Sequence, residues 1–348
     1  MRSLDLGKVI VSENGPAYVI AEIGHNHQGK LEQAIELIRA AADAGASAVK
    51  LQKRNNRRLY TPQAFNEIYN SENSFAETYG LHREALEFGK KEFEVCLQVA
   101  QEEGVDFFAT PFDIDSADFL EELGLTIYKI ASGDLQNIPL IRHVASFQKP
   151  MIISTGGASL EMIDRAIQEI RFHHNKVAIL QCTASYPAGF DQLNLRFISE
   201  LQSLYPENII GYSGHDNGIA MATVAYALGA RVIEKHFTLN RTLKGTDHAF
   251  SLEPQGMKKL VRDLERASLA LGDGKKVTYD SEVAPLTKMG KMICASRDLP
   301  QSHIIAWEDL EYRSPAHGLP PSMADWLVGR QLIQPVKKFD PIKLEHIN

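Results

Sequence analysis

Several ionisable residues in this chain fall where short apolar runs end. "RVIEKHFTLN" (231–240) begins as a buried strand with Val232 and Ile233, then places Glu234, Lys235 and His236 in succession. Desolvating an unpaired charge is expensive, so a strand that ends this way needs partners at its tip. "IIGYSGH" ends on Ser213 and His215. Imidazoles from neighbouring strand ends can converge on one ion. With Glu22 and Glu234 nearby, His215 and His236 suit a divalent metal with positions left open for substrate or water. Lys50 and Lys129, with the hydroxyls of Thr110, Ser132, Ser154 and Ser213, suit a phosphate or a carboxylate. "ISTGGAS" adds a glycine pair before a helix, where backbone N–H groups can meet an anion. The same glycines would also serve a plain turn.

Those residues need a scaffold that brings strand ends together. "AYVIAEIG", "SAVKLQK", "DFFATPF", "TIYKIAS", "PMIISTG", "VAILQCT", "IIGYSGH" and "RVIEKHF" are short, apolar and separated by helical patterns such as "LEQAIELIRAAADAGA" (31–46). Apolar strands alternating with helices favour parallel pairing covered on both faces. Eight such units predict an α/β fold, a TIM (β/α)8 barrel, with a doubly wound open sheet as the structural alternative. In a barrel, chemistry sits at the C-terminal ends of the strands, and alternate side chains point inward. By that parity the inward set is Glu22; Lys50 and Gln52; Thr110; Lys129, with Ser132 just beyond; Ser154; Gln181 and Thr183; Ser213 and His215; Glu234 and His236. Cys182 then faces the helices as a core residue, and Lys235 snorkels or pairs outside the barrel.

Residues 54–89 form a polar, aromatic insertion after the second strand, read either as a functional loop on the catalytic face or as a mobile surface excursion. Arg57, Arg58, His82 and Arg83 within it could bind a phosphate or simply form a solvated face. His173 and His174 read as a solvated helix end and Asp113 and Asp115 as helix capping, with some chance of a site contact for the aspartates. After Tyr279 the texture changes to short apolar pieces with many prolines and no long helix. Residues 1–279 are therefore expected to form the barrel and 280–348 a small β-rich domain. A net charge of -7 argues against a nucleic-acid partner. No apolar run reaches the ~20 residues of a membrane span, and the N-terminus lacks a signal-peptide core. The three cysteines have no metal or disulfide spacing, and a cytoplasmic protein is expected.

"AEIGHNHQG", "VKLQK", "YKIASGD", "ISTGG", "LQCTASYP", "GYSGHDNGIA", "EKHFTLNRTLKGTDHAFSLEP" and "EYRSPAHGLPP", in unbroken order, resemble the sialic acid synthase family. The resemblance implies a barrel followed by an antifreeze-like (SAF) domain, in a domain-swapped homodimer where that domain caps the partner's site. It implies condensation of phosphoenolpyruvate with an N-acyl mannosamine to give a nonulosonic acid and phosphate by C–O cleavage, with Mn2+ or Mg2+. It assigns His215 and His236 to the metal, and Lys50, Thr110, Lys129, Ser132, Ser154, Ser213 and His236 to phosphoenolpyruvate. Glu22 becomes the acid/base group, and Gln52, Tyr186 and Asp247 become sugar contacts. Thr183 is placed among the substrate-binding residues, and Arg313 reaches the N-acyl group across the dimer. Two departures stand out: Ala184 where some members have asparagine, and Tyr312-Arg313-Ser314-Pro315 where Lys-Arg-Pro is usual. The insertion resembles the branch that makes 9-phosphates, which leaves the sugar's 6-position as hydroxyl, phosphate or deoxy. The competing expectations are another metal-dependent keto-acid barrel enzyme, such as an aldolase, and a non-catalytic ice-binding module.

Overall fold

The eight apolar stretches become parallel strands that close on themselves. The computed structural model describes residues 2–348. A hairpin comes first, β1 (Ser3–Leu6) and β2 (Val9–Ser12), paired antiparallel. The barrel strands are β3 (Tyr18–Gly24), β4 (Ala48–Lys53), β5 (Asp106–Pro111), β6 (Tyr128–Ile130), β7 (Met151–Ser154), β8 (Val177–Cys182), β9 (Ile209–Gly214) and β10 (Val232–His236). β10 pairs with β3 to close the ring. With helices between successive strands, this is a TIM barrel.

Two apolar clusters follow from the period-two alternation of buried strands. Val19, Ala21, Val49, Leu51, Ile130, Ile153, Ile179 and Ile233 face the helices. Tyr18, Ile20, Ala48, Phe108, Ile152, Leu180 and Val232 fill the barrel, and Leu4, Leu6 and Val11 of the hairpin join them. The hairpin, which the sequence pattern did not mark out, thus packs its apolar side chains on the inner cluster. The strand ends of the other face are left for polar groups. Inside, Gly211 leaves no room for a larger residue: a Cβ there would lie 2.3 Å from Leu180 Cδ2 and from the Val232 carbonyl oxygen.

The insertion differs from a loose excursion. It folds into three short helices, Asn56–Leu59, Pro62–Asn66 and Tyr79–Glu84, the last two capped by Thr61 and Thr78. Tyr60, Tyr69, Tyr79 and His82 stack edge to face or tilted on one another. A Cβ on Gly80 would overlap the Phe65 ring at 2.2 Å, so the helices pack closely.

The chain divides into two units, the first ending at Gly272 and the second spanning Asp273–Asn348. The second unit has its own core of Ile293, Ala295, Leu299, Ile305, Leu327, Leu332 and Ile342. It holds the antiparallel pair β11 (Met292–Ala295) and β12 (Leu310–Arg313). It also holds a ten-residue helix, Asp280–Met289, in a region expected to lack long helices. Pro285 inside that helix masked the pattern, because proline usually ends a helix. Among the described residues no helix is long and apolar enough to cross a membrane.

Candidate active site

The strand ends gather four buried charges. Glu22 is 1% exposed, and Lys50, Lys129 and Glu234 are buried with it. Lys50 Nζ lies 2.8 Å from Glu22 Oε2 and 3.8 Å from Glu234 Oε1, and it donates to Thr110 Oγ1 at 3.0 Å. Lys129 Nζ donates to Ser154 Oγ at 2.6 Å and lies 4.0 Å from Glu234 Oε1. Ser213 Oγ donates to the same Glu234 oxygen at 3.2 Å. Gln52 Nε2 donates to Glu22 Oε1 at 2.7 Å. These groups are brought together because β3, β4, β6 and β10 end at the same level, with His236 opposite Glu22 and Glu22 opposite Lys50 in the pairing.

The electrostatics set the carboxylates apart. Burial raises Glu22 to about 7, with Glu234 adding to the rise and Lys50 pulling it back. Burial also acts on Glu234, but Lys129 and Lys50 outweigh it and hold that carboxylate below its usual value. Burial pushes the Lys129 amine down despite Glu234, whereas Glu22 and Glu234 overcome the burial of Lys50 and raise it. Two like groups with separated proton affinities are a common arrangement where one must hold a proton and the other a charge.

His215 and His236 stand beside them with ring centroids 5.4 Å apart. Burial pushes His215 down to about 4, and burial also lowers His236. Both are therefore neutral, the form that binds metal. A neutral His215 donates from Nδ1 to the Thr183 carbonyl at 2.8 Å, which fixes the tautomer and turns the Nε2 lone pair away from that bond. His236 Nδ1 is buried without a hydrogen-bond partner, 3.8 Å from Asp247 Oδ2, and Glu234 Oε2 is likewise unpartnered. This donor set fits a divalent cation. The two histidines do not by themselves make a ready cage, since among the described residues no group of three or more His, Cys, Asp or Glu is poised to hold a metal. Tyr186 covers His215, its ring 4.1 Å away.

Behind the histidines, on the outer face, lies a buried pair. Lys235 Nζ donates to the Asp216 carbonyl at 2.6 Å and to Oδ1 at 3.1 Å, and Tyr212 Oη donates to the same Oδ1 at 2.6 Å. Lys235 is 1% exposed, so it pairs and does not snorkel. It precedes His236, and Asp216 follows His215. The contact therefore ties together the two chain segments that carry the imidazoles. A Cβ on Gly214 would come within 2.5 Å of the Tyr212 ring and 2.7 Å of Asp216 Oδ1.

One strand runs with the opposite parity to that expected. Ala178 and Leu180 of β8 belong to the inner cluster, so Cys182 points toward the mouth and not toward the helices. Its sulfur lies 4.0 Å from His215 Nδ1. Gln181 points outward and donates to the Leu193 carbonyl, and Thr183 Oγ1 donates to the Gln192 carbonyl. The error arose because Gln181 is the last strongly polar residue of an otherwise apolar strand. Ser132 meets the glycine turn, accepting from the Gly156 N–H at 2.9 Å. Asp113 caps the helix Ile114–Glu122, and Asp115 pairs with Arg58. Arg313 belongs to the second unit, bound to Glu311 at 2.9 Å and stacked over Phe339. Arg54 and His25, which strand parity did not single out, are buried beside Gln52.

A family model for the NeuB family matches residues 37–276. The chain belongs to that family. It is 37% identical to the N-acetylneuraminate-9-phosphate synthase of Homo sapiens over 96% of this chain and 93% of the human one. To the N,N'-diacetyllegionaminic acid synthase of Legionella pneumophila it is 35% identical, over 95% of this chain and 94% of that one. A solved N-acetylneuraminic acid (sialic acid) synthetase from Leptospira borgpetersenii, in complex with citrate, superimposes with a TM-score of 0.72. It is 37% identical and covers 82% of this chain and 95% of its own. As a NeuB-family member, the chain is a synthase of the sialic and related nonulosonic acid type, with a transferase's chemistry of condensation.

Proposed function

We propose that this NeuB-family protein condenses phosphoenolpyruvate with the open-chain aldehyde of an N-acyl mannosamine. The observation that supports this best is the meeting of two buried lysines with a neutral histidine pair at one barrel mouth. Lys50 and Lys129, with Thr110, Ser132, Ser154 and Ser213, would hold the phosphate and carboxylate of phosphoenolpyruvate as charge-assisted acceptors. His215 and His236 would hold a divalent cation, Mn2+ or Mg2+, with Glu234 and Asp247 within its field. When bound, that cation supplies Lewis-acid polarisation of the aldehyde oxygen. Gln52, Tyr186 and Asp247 would position the sugar chain.

In the balanced reaction, the methylene carbon of phosphoenolpyruvate bonds to the aldehyde carbon. Water adds at the former enol carbon, and the bond from that carbon to the phosphate oxygen breaks. A 2-keto acid and inorganic phosphate leave. Glu22 holds a proton near neutral pH and would deliver it to the developing alkoxide. An incoming phosphate and carboxylate strengthen its hold, because like charges oppose ionisation. Arg313 and a domain-swapped homodimer belong to the same proposal on the strength of the motif around Tyr312. A cytoplasmic setting suits three cysteines that carry no disulfide.

A second reading, a Schiff-base aldolase, is favoured by the burial of Lys129, which opposes the charge on its amine. The two part on a single assay with manganese, phosphoenolpyruvate and a sugar panel. Sugar-dependent phosphate release with a product heavier by pyruvate is the expected result. Borohydride trapping of substrate on Lys129 without phosphate release would replace the synthase with the aldolase.

A further inference from the structure

Two arginines near the mouth have no carboxylate ion-paired to their guanidinium groups. Arg54 is buried, with Nη2 donating to Gln52 Oε1 at 2.8 Å and its guanidinium stacked 3.6 Å from the Phe112 ring centroid. Arg83 donates from Nη2 to the Tyr79 hydroxyl at 2.9 Å. Among the described residues neither has a carboxylate within ion-pair distance, whereas the neighbouring Arg57 and Arg58 are exposed and paired to Glu84 and Asp115. Instead, both guanidinium groups point at one imidazole. Arg54 Nη1 is 3.1 Å from His25 Nε2, and Arg83 Nη1 is 3.4 Å from His25 Nδ1.

A neutral imidazole has one lone pair and one N–H, and arginine offers only donors. One of the two contacts therefore sets donor against donor, whatever the tautomer. Protonating His25 would make both so. Two carboxylates, Glu87 and Asp247, lie near this group, but neither forms an ion pair with Arg54 or Arg83. Glu87 binds Lys53 at 3.2 Å and lies 3.6 Å from His25, and Asp247 faces His236. Unpaired buried charge is costly and calls for a counter-charge. Surplus donors and surplus positive charge thus coincide at one place.

That place lies on the sugar side of the mouth. His25, Arg83, Thr246 and Asp247 line one cleft. Gln52 bonds Glu22 with its nitrogen and Arg54 with its oxygen, so it joins the reacting end to the arginines. A chain-form sugar with its aldehyde at His215 and His236, running past Asp247, would bring its far carbon to Arg83. We propose that Arg54 and Arg83 form a subsite for a phosphate monoester on the acceptor sugar, at the carbon farthest from the aldehyde. The proposal rests on the synthase function above and names its acceptor class. Two guanidinium forks suit the three oxygens of a phosphate. The cleft is narrow, about 10 Å3, and Arg54 lies behind His25, outside its lining. The phosphate would therefore draw Arg83 from the Tyr79 hydroxyl and displace His25 from between the two guanidinium groups.

The test has two arms. Calorimetry without phosphoenolpyruvate would measure binding of N-acetylmannosamine 6-phosphate, N-acetylmannosamine and inorganic phosphate to the wild type, R83M and R83K. Phosphate release would then be followed with each sugar. The expected result is binding of the sugar phosphate at least 30-fold tighter than that of the neutral sugar, lost in R83M and partly restored in R83K. In turnover, R83M should raise the KM for the sugar phosphate at least 30-fold and that for phosphoenolpyruvate far less. Equal use of both sugars, or a preference for the neutral one, overturns the subsite and leaves the synthase standing. Arg83-dependent binding of the sugar phosphate without turnover of any sugar upholds the subsite and removes the synthase. Binding of inorganic phosphate as tight as that of the sugar phosphate also overturns it, because the site would then read phosphate without the sugar.

Discussion

Buried charge is used in two ways in this molecule. At the barrel mouth, Glu22, Lys50, Lys129 and Glu234 are crowded together, yet Glu234 Oε2 and His236 Nδ1 lack partners. In the second unit, Asp309 is fully buried and fully engaged. It accepts from Arg297 Nε at 2.9 Å, His303 Nε2 at 2.6 Å and the Ala306 N–H at 2.9 Å. A carboxylate whose lone pairs are all answered by the chain holds a turn in place. One with a buried oxygen to spare at the mouth, as Glu234 has, is open to a partner from outside. Asp216 and Glu87 also keep a buried oxygen without a partner, so the spare atom marks chemistry only together with its place at the mouth.

The strongest way to break the comparison is to replace a mouth charge and look for loss of stability. Lys129→Met should lower phosphate release by about 10^3-fold, the scale of losing a preorganised electrostatic contact. Its thermal midpoint should stay within a few degrees of the wild type, because burial already disfavours that amine. A collapse in calorimetry would make Lys129 architectural.

The Lys235–Asp216 pair sharpens the contrast, since it is buried like Asp309 but adjoins the histidines. Removing either partner alone should cost about 3–5 kcal/mol, while Lys235→Met with Asp216→Leu should be nearly neutral in chemical denaturation. Manganese affinity, read by paramagnetic resonance, should still fall about tenfold in the double variant, as for lost supporting contacts to metal-binding histidines. Unchanged affinity would show that the pair serves the fold alone.

Asp309→Ala should cost about 3 kcal/mol in the second unit, measured by hydrogen exchange there. Its hydrogen bonds hold Asp309 below the ordinary aspartate value of 3.8 against the opposing effect of burial. The folded form thus binds its proton less readily than the unfolded chain. The stability it confers is complete above about pH 4 and is lost as pH falls through the lower folded value. Asp309→Asn should abolish that acid dependence.

The smallest effect concerns Glu22, shifted the other way. Its raised value of about 7 means that the folded form keeps a proton the unfolded chain has lost from pH 4.5 upward. Stability therefore declines from pH 4.5 to about 7 and then levels off. If the proton is used, turnover should decline as pH rises through about 7, and Glu22→Gln should flatten the profile while lowering it.

Much of this was legible in the sequence. Barrel strands announce themselves as apolar runs with polar tips, and parity alone located Glu22, Lys50, Lys129, Ser213, His215, Glu234 and His236. Parity failed on β8, where an outward glutamine bonded to a loop carbonyl was indistinguishable from an inward one. It could say nothing of Arg54 and His25, which lie beyond strand ends where no period operates. Their only signal was a surplus of basic residues in the insertion and the histidines of "GHNHQG". Four of those basic residues looked alike in the sequence, and only tertiary contacts divide the surface-paired Arg57 and Arg58 from the inward Arg83. The short helices of the insertion were hidden for a similar reason: four to six residues are too few for a helical period.

The hairpin beneath the barrel has a consequence for how the chain is made. Its apolar side chains pack against Ile20, Phe108, Ile152 and Val232, the last on the strand that closes the ring. The hairpin is made before every barrel strand, so it waits for the strand that carries Val232 before all its partners exist. A bulky change within the hairpin would therefore disturb the last step of assembly, not a peripheral turn.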